Sequence, residues 1–319
     1  MVWLTAAAAV IIVAGLIALM THTLLRICCG RQITGLAGLV IGRGQDNGSP
    51  TPPEAAEGRA FWRAAAPEPV SIRSFDGLVL RGEYLTRTGS VRTVVCVHGY
   101  RATGIDNFAP VLPVLAGMGC DILLIDQRAC GASEGNAITF GMKERLDVLD
   151  WCRWLTGERG CTHPIFLDGI SLGCSTVLMA SDLELPANVR GIIADCGFTS
   201  AREIIASVMK RMLKIPPGPV MPLLQLAARI ELGMPLDAVN TEECVRRTRI
   251  PILFAHGEQD HFVPPEMGKR NYAACASPKR LLLSPDAAHG ETWLKSRKEY
   301  TRLIEELFAC AFETPAQEV

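Results

Sequence analysis

The sequence predicts an α/β fold: a mostly parallel eight-stranded sheet flanked by helices, with an antiparallel start. Two observations carry this. Short apolar runs alternate with helix-length segments over most of the chain, the pattern of strands buried on both faces and joined by right-handed crossovers. Ahead of them, "VSIRSF" and "LVLRGEYL" flank the turn pair Asp76-Gly77 with the alternation of a hairpin.

In chain order the strands after the hairpin are expected at 93–97 (TVVCV), 121–125 (DILLI), 164–167 (PIFL), 191–194 (GIIA), 251–255 (PILFA) and 280–283 (RLLL). The interval from Cys196 to Ile250 is longer than an ordinary crossover needs. It is apolar and carries Met209, Met212, Met221 and Met234. It is therefore expected to be a helical cap over about 198–247, with Met209, Met212 and Met221 offered to an apolar ligand because thioether side chains adapt to irregular shapes. Helix packing without ligand contact accounts for the same composition.

Ahead of the expected folded unit, 67–319, lie two segments of different character. Residues 2–25 have no formally charged side chain if His22 is neutral, and about 20 such residues span a bilayer, so 1–25 is expected to be a transmembrane anchor. A cleaved signal peptide usually opens with a basic residue and closes on small ones, and neither feature is clear here. Arg26, Arg31 and Arg43 follow the span and none precedes it, which favours a cytoplasmic domain. Residues 26–66 are expected to be juxtamembrane chain and flexible tether, because 42–58 concentrates Gly, Pro, Asn and Ser without an apolar period.

The composition narrows the function classes. The 319 residues are 49% hydrophobic and 20% charged with net charge −1, enough for a large core and no electrostatic case for nucleic acid. The 12 cysteines include no C-x-x-C pair, so they read as reduced core residues rather than disulfides or a zinc site. Cys28 and Cys29, beside the span, are placed where acylation occurs, but a helix end explains them equally well. No metal-ligand cluster and no cofactor motif is expected.

The pentapeptide Gly-x-Ser-x-Gly occurs twice, around Ser133 and around Ser171. A nucleophilic serine needs a sharp strand-to-helix turn that lifts its oxygen above the sheet, with glycines letting strand and helix approach closely. Ser171 has a strand directly before it and a helical apolar repeat after; Ser133 lies beyond its strand in a loop. Ser171 is the candidate. Its base must be a histidine in a loop at the C-terminal edge of the strands, where His289 fits best and His261 is the alternative. For the acid, Asp260 follows the next-to-last strand, Asp195 is the rival, and Asp168 reads as a structural carboxylate.

The ordered motifs "VCVHGY", "DQRACGASEG", "GISLG", "ADCGFTS", "PILFAHGEQDHFVP" and "AAHG" resemble the α/β-hydrolases, in particular the serine aminopeptidase and prolyl oligopeptidase-like group and its membrane-anchored esterase-like members. The resemblance spans about 71–307. It implies an oxyanion hole from the backbone N–H groups of Tyr100 and Leu172. The chain departs from the usual Asp-x-Arg-Gly-x-Gly-x-Ser by carrying Ala129 and Cys130 between Arg128 and Gly131. The expected activity is ester hydrolysis by Ser171, His289 and Asp260 on a small acyl ester. A short peptide or a thioester suits the same residues, and a non-catalytic binding protein of this fold is the alternative class.

Overall fold

The computed structural model describes residues 2–31, 52–310 and 312. Eight strands form one sheet: β1 (Glu68–Arg73), β2 (Val79–Leu85), β3 (Arg92–Val97), β4 (Cys120–Ile125), β5 (Ile165–Ile170), β6 (Val189–Asp195), β7 (Ile252–Gly257) and β8 (Lys279–Ser284). Their spatial order is β1-β2-β4-β3-β5-β6-β7-β8. The β1–β2 and β2–β4 pairings are antiparallel and the rest parallel.

The central strands are buried on both faces because the period-two alternation of a strand sends neighbouring side chains into different cores. In β3, Val95 and Val97 enter one apolar layer with Trp151 and Trp154, while Val94 and Cys96 enter the other with Phe108 and Leu307. A continuous apolar run is thus required, and a polar residue at any of these positions would sit unpaired in a dry interior.

Of the stretch expected to be a tether, 53–58 instead opens the helix Pro53–Ala65, which buries Ala55, Gly58 and Trp62; residues 42–51 lie outside the described residues. Trp62 donates its indole N–H to Glu83 Oε2 at 2.6 Å, fixing the helix to β2. Gly58 is needed for the fit, since a Cβ there would lie 1.6 Å from the carbonyl oxygen of Ala109. The folded unit therefore begins upstream of 67.

The long interval between β6 and β7 holds three helices. Ala201–Arg211 and Pro217–Glu231 share a third apolar cluster with Phe140, Leu172 and Phe198, above the C-terminal edge of the sheet. The third, Thr241–Arg247, was expected within the cap but places Val245 in the core beneath the sheet. The cap proper is the first two.

The N-terminal helix Val2–Cys29 joins that same cluster through Leu25 and Cys29. Its last turn is held by Arg101, whose Nη2 donates to the carbonyls of Ile27 at 2.8 Å and Gly30 at 2.7 Å, and by Tyr100, whose hydroxyl donates to Cys28 O at 2.5 Å. A cation at the C-terminus also complements the helix dipole. His22, expected inside the membrane, pairs with Glu231 of the second cap helix at 2.9 Å.

Candidate active site

Ser171 sits between β5 and the helix Leu172–Ala180 with φ 57° and ψ −114°, a strained conformation for a residue with a side chain. What makes the turn possible is close packing at two glycines. A Cβ on Gly173 would lie 1.8 Å from Val97 O, and one on Gly169 would lie 2.4 Å from Gly173 O. The Ser171 N–H donates to Asp195 O at 2.8 Å, which ties the turn to the end of β6.

His289, in the loop after β8, and Asp260, in the loop after β7, come together with this serine. His289 Nδ1 is 2.7 Å from Asp260 Oδ2, and His289 Nε2 is 2.9 Å from Ser171 Oγ. Asp260 Oδ1 accepts the backbone N–H groups of Phe262 at 2.9 Å and Val263 at 2.8 Å. Burial alone would raise the Asp260 carboxyl, but hydrogen bonds from His256 and His289, and their charges, outweigh it and hold the group well below the usual carboxylate range. An ionised Asp260 accepts from Nδ1–H. Nε2 is then left as an acceptor for the Ser171 hydroxyl.

This depressed pKa has a stability consequence of definite sign. A carboxyl whose folded pKa lies below its unfolded value of about 3.9 contributes stability that is present above that pH and lost as pH falls through the folded value. Asp260→Asn is thus expected to lower the thermal midpoint at neutral pH, with the gap to wild type narrowing as the pH drops below about 4. Calorimetric scans of both proteins across that range measure it.

His256 has a role that the order of the motifs did not reveal. It ends β7 with Nε2 3.3 Å from Asp260 Oδ2 and 3.1 Å from Val263 O, so one N–H is shared between two acceptors on the acid-bearing loop. The i, i+4 spacing of His256 and Asp260 was the available signal. His98 likewise braces the loop after β3: Nδ1 donates to Gly99 O at 2.7 Å and Nε2 accepts from Gln127 N at 2.9 Å.

The remaining candidates lie elsewhere. Ser133 is buried, donating to Asp126 O at 2.6 Å and accepting from Arg81 N at 2.8 Å, and so it holds the β4 loop to β2. In that loop Ala129, where the usual pattern has glycine, takes a left-handed φ of 58°. His261 is exposed, and His163 bonds Thr93 Oγ1 at the opposite end of the sheet. Asp195 accepts from Thr292 Oγ1 at 2.8 Å. Burial raises both Asp195 and Asp168, and the Asp195 charge pushes Asp168 further.

Leu172 is the first residue of its helix, so its N–H has no carbonyl four residues back to bond. Tyr100 follows β3 in the loop braced by His98, and its ring stacks on Phe140 with centroids 5.6 Å apart. Below the cap, an apolar cavity of about 340 Å³ reaches Ser171 and Leu172 and is lined by Met209 of the first cap helix. Met212 and Met221 do not line it: the first is 38% exposed and the second is packed into the cap cluster. Met212 lies at the end of the first cap helix, past the face that Ile205 and Met209 present, and Met221 lies off the face that Val220 and Leu224 present on the second.

Among the described residues one group could hold a metal: Cys196, Asp260 and His289, whose ligand atoms lie within 4.8 Å of one another. Spacing along the chain did not reveal it, because the three lie in three separate loops. The donor chemistry fits poorly. Both His289 nitrogens are directed at Asp260 and Ser171, and burial pushes the Cys196 thiol well above its ordinary pKa, against the thiolate a metal needs.

A family model described as alpha/beta hydrolase fold matches residues 92–245, the stretch that carries Ser171. The strand order and the turn at Ser171 agree with it. The chain has the α/β-hydrolase fold. Among curated relatives, the chain is 24% identical to Bacillus subtilis YqkD over 74% of this chain and 77% of that protein. It is 30% identical to human ABHD12B over 56% of this chain and 48% of that one. Among solved structures, an esterase of Pyrococcus furiosus is similar with a TM-score of 0.61 and 24% identity, over 77% of this chain and 92% of the esterase. An acylaminoacyl peptidase of Pyrococcus horikoshii gives 0.58 and 16%, over 79% of this chain and 43% of that one. At such identities these structures establish the fold.

Proposed function

We propose that this α/β-hydrolase is a membrane-tethered serine hydrolase that cleaves carboxylic esters with an apolar acyl part. The observation that carries the reading is the unbroken relay from Asp260 through His289 to the Ser171 hydroxyl, at the floor of an apolar cavity. In this reading His289 takes the serine proton as Ser171 Oγ attacks the acyl carbonyl, and Asp260 holds the imidazole in the tautomer that accepts it. The backbone N–H groups of Tyr100 and Leu172 meet the oxyanion, each contributing about 3 kcal/mol to the lowered barrier. His289 then gives its proton to the leaving alcohol. Water, activated by the same base, releases the acyl group.

The similarity to an esterase supports an ester, and the peptidase neighbour keeps peptides in the test. The cavity favours the ester, because a peptide would leave its amide groups unpaired against Leu, Ile, Met and Phe side chains. The N-terminal helix is the one helix among the described residues long and apolar enough to cross a membrane. Arg26 and Arg31 at its C-terminal end favour a cytoplasmic catalytic domain. Fluorophosphonate labelling followed by p-nitrophenyl esters of increasing acyl length, with an aminoacyl anilide beside them, tests the whole reading. Labelling with faster ester than anilide turnover is expected; the reverse order would make the chain a peptidase.

A further inference from the structure

The N-terminal helix does more than lead up to the cap: it forms one wall of the cavity. Met20, Leu24, Ile27 and Cys28 all line it. They recur at i, i+4, i+7 and i+8, a single stripe along one helix face. The stripe covers about 12 Å of helix. Its lower end is held at the catalytic loop, where Tyr100 bonds Cys28 O and Arg101 bonds Ile27 O. Its upper end, at Met20, is where the helix leaves the domain.

Above that point the helix exposes large apolar side chains. Trp3 is 87% exposed and Ile11 71%, with Ile12, Leu16 and Leu19 also exposed. Residues 2–20 amount to about 28 Å of helix, close to the ~30 Å hydrocarbon core of a bilayer. Below them, His22 bonds Glu231 of the second cap helix at 2.9 Å and ties the two helices together. At that level the second cap helix exposes Leu226 and, 74% exposed, Ile230. The loop between the cap helices exposes Ile215, which also lines the cavity. An apolar rim thus continues the stripe to the lipid.

We infer that the stripe from Met20 to Cys28 is a track by which an ester with one long acyl chain passes directly from the bilayer to Ser171. This rests on the serine-hydrolase reading above and narrows its substrate to a membrane-resident lipid ester. The chain lies along the N-terminal helix under the cap, with its carbonyl at Ser171 Oγ. The apolar lining takes the methylenes without exposing them to water, and the cavity volume is at the small end of ligand pockets, matched to a slender ligand. It follows that the helix stays attached: removing it would strip the cavity of a wall and take away the carbonyls of Ile27, Cys28 and Gly30 that Arg101 and Tyr100 bond.

The test uses the full chain reconstituted in nanodiscs, with p-nitrophenyl acetate and a palmitate ester as probes. The readout is the palmitate-to-acetate ratio of kcat/KM. Leu24→Trp and Ile27→Trp, which fill the track, are expected to lower this ratio by ~10-fold or more. Leu24→Ala, which widens it, is expected to keep or raise the ratio. Ile12→Trp on the exposed span is expected not to change it. Palmitate turnover should follow the mole fraction of ester in the nanodisc rather than its bulk concentration. An unchanged ratio in both tryptophan variants with wild-type thermal midpoints overturns the track, as does a rate that follows bulk concentration. Should the tryptophan variants fail to fold, a fall in the ratio for Leu24→Ala overturns it instead. Failure of the hydrolase reading has a separate sign: wild type neither labels with fluorophosphonate nor cleaves the acetate ester, and the track then falls with it.

Discussion

Ser171→Ala is expected to abolish fluorophosphonate labelling and to lower ester turnover by about a millionfold or to background, whereas Ser133→Ala keeps both. The two serines share a pentapeptide pattern but not a backbone. Ser171 is held at φ 57° above the sheet with Oγ 2.9 Å from His289 Nε2, so its proton has a base and its oxygen faces the cavity. The Ser133 hydroxyl is spent on Asp126 O and Arg81 N. Its removal leaves two partly buried backbone groups short of a partner, which costs about 1 kcal/mol of stability. Mass spectrometry of the labelled protein and melting curves separate the two effects. Labelling that persists in Ser171→Ala would place the nucleophile elsewhere and end the proposal built on it.

The contrast between the two serines explains what was legible in the sequence. A strand, a glycine-fenced serine and an apolar helix follow one another within 164–180, so local pattern alone separates Ser171 from Ser133. His289 and Asp260 were legible for a related reason: in a parallel sheet the loops after successive strands gather at one edge, so strand order restricts which loops can meet. The start of the helix Pro53–Ala65 was misread as tether: proline at its first position and Glu54 in its first turn are helix-start signals, but the glycines and prolines just upstream obscured them.

The docking of the N-terminal helix was not legible. An apolar run of this length satisfies a bilayer and a cap equally, and periodicity says nothing of a partner on the far side of the chain. The His22–Glu231 pair joins residues 209 apart, and Arg101 caps carbonyls more than 70 residues upstream. Such contacts follow from tertiary packing alone. Met212 and Met221 fail for the same reason: composition identified the cap, but only the packed helices decide which methionine faces the cavity.

The acid is where sequence left two candidates, and the expected outcome separates them widely. Asp260→Asn is expected to reduce ester kcat by ~10,000-fold, and Asp195→Asn by less than ~10-fold. The reason lies in what surrounds each carboxylate. Asp260 Oδ1 accepts two backbone N–H groups, from Phe262 and Val263, so the carbonyl oxygen of an asparagine must take that side. Its NH₂ then faces His289 Nδ1 and donates where Asp260 accepted. The imidazole proton is forced onto Nε2, which can no longer receive the proton of Ser171. Asp195 instead accepts side-chain bonds from Thr292 Oγ1 and from Tyr300, which an asparagine carbonyl also accepts, and the tautomer of His289 does not depend on it. Turnover of p-nitrophenyl acetate by the two variants, each checked for a cooperative melt at neutral pH, measures the ranking. If Asp195→Asn is the slower enzyme, the acid is Asp195 and the relay through Asp260 is structural only.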